Sequence, residues 1–178
     1  MNLVLLPHHN TLTSLQKMQA FLHREAPEHF LPSYPLICVM GYTDSVEFQH
    51  GKCISRPMES LKTVLKEADG TVHFGKLQYL NCEDGTIRLV LPVVIPFMKQ
   101  ISEAGFIPET AASFIIGTLF AADNTVGKAL TDKTVPPEDA RVFRLALMET
   151  ESAQAVDGTM PLAAYTWKYR LPFWVKLH

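Results

Sequence analysis

Tyr34-Pro-Leu-Ile-Cys-Val-Met-Gly41 and Ser113-Phe-Ile-Ile-Gly117 are two short apolar runs, each closed by a glycine, and their reading decides the fold. Continuous apolar runs of this length predict buried strands rather than half-exposed ones. Working outward from the first, Pro32 and Pro35 bracket its entry, and it continues to Tyr42, where Thr43 and Asp44 supply a turn. Upstream, Leu3 to Leu6 reads as a short strand stopped by Pro7. It is followed by a helix whose apolar stripe is Leu12, Leu15, Met18 and Leu22. Thr13 with Gln16 fits a capping box, Asn10 is a rival N-cap, and Pro27 lies past the helix end.

Between the two runs the spacing predicts a short strand over Val46 to Gln49. A second helix follows from Pro57, with Met58, Leu61, Val64 and Leu65 on one face, and ends at Asp69-Gly70. A hairpin of Thr71 to Leu80 and Thr86 to Val94 turns at Asn81 to Gly85. A short helix begins at Pro96 and stops at Gly105. After the second run, Ala122 to Asp139 reads as a long loop, and the chain closes with strands over 141–148, 162–170 and 173–177. The element pattern predicts an α+β fold, mostly antiparallel, in a single bilobal domain over residues 1–178.

Composition narrows the function classes. The chain has 178 residues, 47% apolar and 19% charged, enough for a proper core and unlike a disordered segment. Its longest apolar run, Ile87 to Met98, is interrupted by Arg88, Pro92 and Pro96, so no membrane partner is expected. The opening residues lack the basic start of a secretory signal. Cys38, Cys53 and Cys82 are an odd number without Cys-x-x-Cys spacing. They predict reduced thiols in a cytoplasmic protein, with neither a disulfide framework nor a zinc site. The net charge of −2 and the scattered Lys and Arg residues argue against a long nucleic-acid partner.

The order of elements, the Leu3-Val-Leu-Leu-Pro7 strand and the glycines Gly41 and Gly117 resemble the two-histidine phosphoesterase superfamily, which includes the 2′–5′ RNA ligase and cyclic phosphodiesterase proteins. The resemblance covers nearly the whole chain and implies duplicated antiparallel sheets with flanking helices. In that family each central strand carries a His-x-Thr pair, the histidines acting as base and acid around a phosphate. Here Tyr34 and Leu36 stand at the first pair and Ser113 and Ile115 at the second. Tyr and Ser cannot remove one proton and deliver another near neutral pH, so the resemblance implies a degenerate site. His9-Asn-Thr11 spells the motif but falls at a strand–helix junction.

Other chemistry reads as ordinary surface or core. His8-His9 cannot easily aim at one ion, and Glu25, Glu28 and His29 fit a solvated loop. Glu149, Glu151 and Asp157 fall in an expected turn, Cys38 in the core, and no glycine-rich phosphate loop is present. Tyr165, Trp167 and Tyr169 share one strand face and could stack on a base, though packing on a helix is the commoner use; Lys168 and Arg170 share the other face. His73, in the alternating hairpin, is the lone imidazole best placed for a cleft.

The resulting expectation is a non-catalytic protein with no cofactor and no metal. Tyr34, Ser113 and His73 would line a phosphoesterase-like cleft for a small phosphorylated or nucleotide-like ligand. The alternatives are a divergent phosphodiesterase acting on RNA or cyclic nucleotide ends through His73, and a protein-interaction or structural module.

Overall fold

Successive strand residues point to opposite faces, and the residues on one face of an antiparallel sheet pack against all four described helices. The computed structural model describes residues 1–7, 9–34, 36–44, 47–49, 52–54, 56–65, 70–139, 143–152, 165–168 and 175–176. β1 (Asn2–Pro7) leads into α1 (Asn10–Glu25), then the three-residue β2 (Phe30–Pro32) and, past a bend, β3 (Cys38–Tyr42). A ribbon of β4 (Glu47–Gln49) and β5 (Lys52–Ile54) precedes α2 (Arg56–Val64). Next come β6 (His73–Phe74), β7 (Gln78–Asn81), β8 (Ile87–Val94), α3 (Met98–Glu103), β9 (Ile107–Pro108) and β10 (Ser113–Leu119). α4 (Asn124–Lys133), β11 (Phe143–Ser152), β12 (Tyr165–Lys168) and β13 (Val175–Lys176) complete the order. Across the sheet the strands run β12-β11-β1-β3-β10-β8-β6, with β7 also on β8, β2 on β10, β9 on β3 and β13 on β11.

Leu3, Leu5, Cys38, Phe114, Leu89 and Leu91 from the sheet join Leu15, Leu22, Leu61, Ile101 and Leu130 from the four helices in one buried cluster. Full burial of each large aliphatic side chain contributes about 1.5–3 kcal/mol. The opposite face holds a smaller cluster of Val4, Ile37, Ala146 and Met148, with Leu6 and Val39 against it. No described helix contributes to that cluster.

β3 and β10 are paired at a single register position, Cys38 opposite Phe114. On either side of it the two strands take other partners. β2 pairs with β10, Gly117 opposite Pro32, and β9 pairs with β3, Gly41 opposite Pro108. The two crossings are reciprocal. Ser33 N donates to Ile116 O at 3.1 Å, and Glu109 N donates to Met40 O at 2.8 Å. Pro32 and Pro108, Ser33 and Glu109, Met40 and Ile116, and Gly41 and Gly117 are all 76 positions apart. The register of β3 against β1, and of β10 against β8, shifts next to these glycines. A Cβ on Gly117 would meet the Phe30 ring and lie 2.6 Å from Leu31 O; one on Gly41 would lie 2.7 Å from Ile107 O. Both glycines are there because another backbone passes over them.

Several sequence expectations change. Residues 122–139 are not one loop: α4 forms, because Asp123 Oδ1 accepts from Thr125 N at 2.9 Å and Val126 N at 3.1 Å. α1 starts at Asn10 with His9 as N-cap and no side-chain cap, so neither the Thr13–Gln16 box nor an Asn10 cap is used. The strand expected from Tyr34 begins only at Cys38. Glu149 and Glu151 lie in β11 opposite Lys168 and Thr166 rather than in a turn. The side chains of Cys53 and Trp167, together with Tyr169, Asp157 and His8, fall outside what is described.

Candidate functional site

The Cys38–Phe114 pair sets the geometry at the centre of the sheet. Cys38 and Phe114 both point into the main core, so their neighbours Ile37, Val39, Ser113 and Ile115 take the helix-free face. Ile37 is buried there and Val39 packs against the same small cluster, while Ile115 is 38% exposed. The two central strands and Ile37, just before β3, thus present three aliphatic side chains and one hydroxyl, that of Ser113. Leu36, aligned by resemblance with a phosphate-binding threonine, is a core residue. Burial and the nearby Glu109 push the Cys38 thiol up to about 12, so it is a protonated packing group rather than a nucleophile.

Tyr34 lies in the bend between β2 and β3, outside the strand that was expected to carry it, with its side chain in solvent. The bend is fastened beside it. Gln19 of α1, itself buried, donates through Nε2 to Ser33 O at 2.9 Å and to Ile116 O at 2.8 Å. Its Oε1 has no hydrogen-bond partner among the described residues.

His73 sits at the other end of the system. Phe74 turns into the core against Phe114, ring centroids 6.3 Å apart, so His73 faces the helix-free side. Its Nδ1 lies 2.8 Å from Asp139 Oδ2, and the other carboxylate oxygen accepts from Phe74 N at 3.3 Å. The hydrogen bond from His73, with help from Phe74 N–H and the imidazole's charge, holds the Asp139 carboxyl below its usual range. An ionised carboxylate only accepts, so Nδ1 is the donor in this pair. Ser113 and His73 share a face but are separated by β8 and offset by two residues along it, Ser113 opposite Pro92 and His73 opposite Val94, which puts about 12 Å between their backbones. They do not form a Ser–His pair. Among the described residues no group of His, Cys, Asp and Glu could hold a metal ion. No described helix is long and apolar enough to cross a membrane.

Of the nine exposed large apolar side chains among the described residues, six fall by strand register on the helix-free face: Leu31, Tyr42, Leu80, Val94, Ile107 and Ile115. No family model, no curated protein and no solved structure matches the chain.

Sequence reasoning located Ser113 and His73 but missed Asp139, placed in a loop 66 positions from its partner. No local signal ties those two residues together. The parity of β3, which sends Ile37 and Val39 rather than Leu36 to the shared face, was legible in principle. Aligning Pro32-to-Gly41 with Pro108-to-Gly117 sets Ile37 against Ser113.

Proposed function

We propose that the chain is a non-catalytic binding protein on a duplicated, two-histidine-phosphoesterase-like framework, whose helix-free sheet face takes a small phosphorylated or nucleotide-like ligand. The duplication is supported by the reciprocal crossings and their common spacing of 76 positions. That spacing pairs Ile37 with Ser113 and Val39 with Ile115 as equivalents, a closer correspondence than Tyr34 with Ser113. The observation that carries the binding reading is the set Ile37, Val39, Ser113 and Ile115 at the meeting of the central strands. A serine hydroxyl can hydrogen-bond a phosphate oxygen and aliphatic side chains can cover a base or sugar. A phosphoesterase at the same place would need a proton acceptor and a proton donor near neutral pH.

The test is a thermal-shift screen with nucleotides, cyclic phosphates and short RNAs, followed by a turnover assay on each hit. A ligand at about a hundred times its Kd adds roughly 2.7 kcal/mol, a visible shift. Stabilisation without turnover that Ser113→Ala abolishes is the expected result. Turnover that His73→Ala removes would instead establish the divergent phosphodiesterase reading. No shift across the panel would sink both.

A second reading, a protein-interaction module, is favoured by the six exposed apolar side chains on that face. It predicts that Ile115→Asp abolishes partner binding while leaving the fold intact.

A further inference from the structure

We propose that Arg88 and Thr118 form an anion subsite on the helix-free face, which takes the phosphate of the ligand while the ligand's body runs toward Ser113. The inference rests on the reading of that face as a ligand surface. One row of side chains crosses four strands there. Leu80 of β7 stands opposite Arg88 of β8, Arg88 opposite Thr118 of β10, and Thr118 opposite Leu31 of β2. Their chain neighbours Ile87, Leu89, Leu119 and Phe30 all join the main core, which turns the row to the other face. At the centre of the row a guanidinium lies beside a hydroxyl, their side chains leaving the backbone about 5 Å apart. Leu80 and Leu31, each about half exposed, wall the pair on both sides.

Both central groups are uncommitted. Thr118 is only 6% exposed, and a hydroxyl so placed normally has a partner. Among the described residues it has none, yet it is not sealed in as Gln19 Oε1 is, so it opens onto the face. Arg88 is exposed and makes no ion pair with a described residue, whereas Arg24, Lys99 and Lys133 are each matched with a glutamate. Asp84, in the hairpin turn, feels the charge of Arg88. Its Oδ1 is held elsewhere, by Thr86 N at 2.9 Å and Thr86 Oγ1 at 2.6 Å.

The corresponding row in the other half of the sheet shows that the cation is no part of the framework. Met148, Asn2, Tyr42 and Ile107 stand opposite one another in the same way, Tyr42 and Ile107 lying 76 positions from Thr118 and Leu31. An amide stands there in place of the guanidinium. A guanidinium and a hydroxyl side by side suit a tetrahedral oxyanion, with charge and several donors converging on it. Ser113 is too far away to share that phosphate. It lies opposite Pro92 while Thr118 lies opposite Arg88, about 13 Å along the sheet. Between them Ile115 and Val90 pair on the same face. A nucleotide laid over Ile115 has its phosphate on Arg88 and its sugar or base at the Ser113 hydroxyl.

The experiment follows backbone amide shifts of the full chain by NMR during titration with inorganic phosphate and then with 5′-AMP, chloride at equal ionic strength being the control. Arg88→Gln, Thr118→Val and Ser113→Ala are titrated alongside, and far-UV circular dichroism checks their fold. Phosphate is expected to move the amides of Arg88 and Thr118 saturably and to leave Asn2 and Tyr42 still. Arg88→Gln should weaken phosphate by about tenfold or more, and Thr118→Val by about threefold. 5′-AMP should add shifts at Ile115 and Ser113. Phosphate shifts no different from those of chloride, or unchanged in Arg88→Gln, would overturn the subsite. Shifts centred on Ser113 and removed by Ser113→Ala would overturn it too, while leaving the proposed function standing. An Arg88-dependent phosphate response with 5′-AMP shifts that never reach Ser113 would keep the anion subsite but overturn the ligand's course, and with it the proposed binding set.

Discussion

The two crossings at the centre of the sheet use the same backbone contacts but are fastened differently. Where β2 passes over β10, Ile116 O accepts twice, from Ser33 N and from the Gln19 side chain of a 16-residue helix. Where β9 passes over β3, Met40 O accepts from Glu109 N, and the helix leading into the crossing, α3, has six residues. Gly117 is pressed by an aromatic ring as well as by backbone, Gly41 by backbone alone. The contrast teaches that a shared backbone scheme does not fix how strongly each crossing is held. The side chain that reaches it decides.

The sharpest way to break the comparison is Gly117→Ala. Its Cβ has no room beside Phe30 and Leu31 O, so we expect a loss of about 3 kcal/mol in denaturant unfolding. Gly41→Ala is expected to cost less, about 1–2 kcal/mol, because the two-residue β9 can shift away. Equal losses would mean that the ring contact adds nothing. Gln19→Leu removes two hydrogen bonds but also a buried oxygen with no described partner, so a net loss of about 1 kcal/mol is expected. A loss as large as that of Gly117→Ala would make Gln19 the main fastening of its crossing.

Cys38 sharpens the comparison without disturbing it. Its folded value of about 12 lies above the ordinary 9.0, so the folded state holds the proton that the unfolded state releases. Stability should therefore fall as pH rises from about 9 toward 12, with a slope of at most about 1.4 kcal/mol per pH unit from this group. Cys38→Ser should remove that slope. Thiol labelling of Cys38 should be slow in the native protein and faster in Gly41→Ala, where its own strand is loosened. Equal labelling in the two would place the opening elsewhere.

Strands and helices with a clear apolar period were readable from the chain. The hairpin turning at Asn81 to Gly85, the stripe of α1 and the end of α3 at Gly105 all depend on neighbours a few residues apart. α4 was missed because a polar stretch with Gly127 in it reads as loop until the Asp123 cap and the Leu130 anchor are weighed together. The candidate site was readable in part. Ser113 could be named from its apolar run, but which residues of β3 face it depends on register set by distant strands. Asp139 was beyond reach for the same reason, since its role comes from a contact 66 positions away.

The reciprocal crossings also bear on how the chain is made. β2 emerges early in synthesis, yet its strand partner is β10, and the amide of Gln19 reaches a carbonyl 97 positions downstream. Until β10 has left the ribosome, α1, β2 and β3 have no completed sheet to join. Contacts of such separation slow folding and prolong the exposure of apolar strands. A nascent chain halted before Ser113 should therefore need a chaperone's protection, and the protein can hold its shape only once β10 has been made.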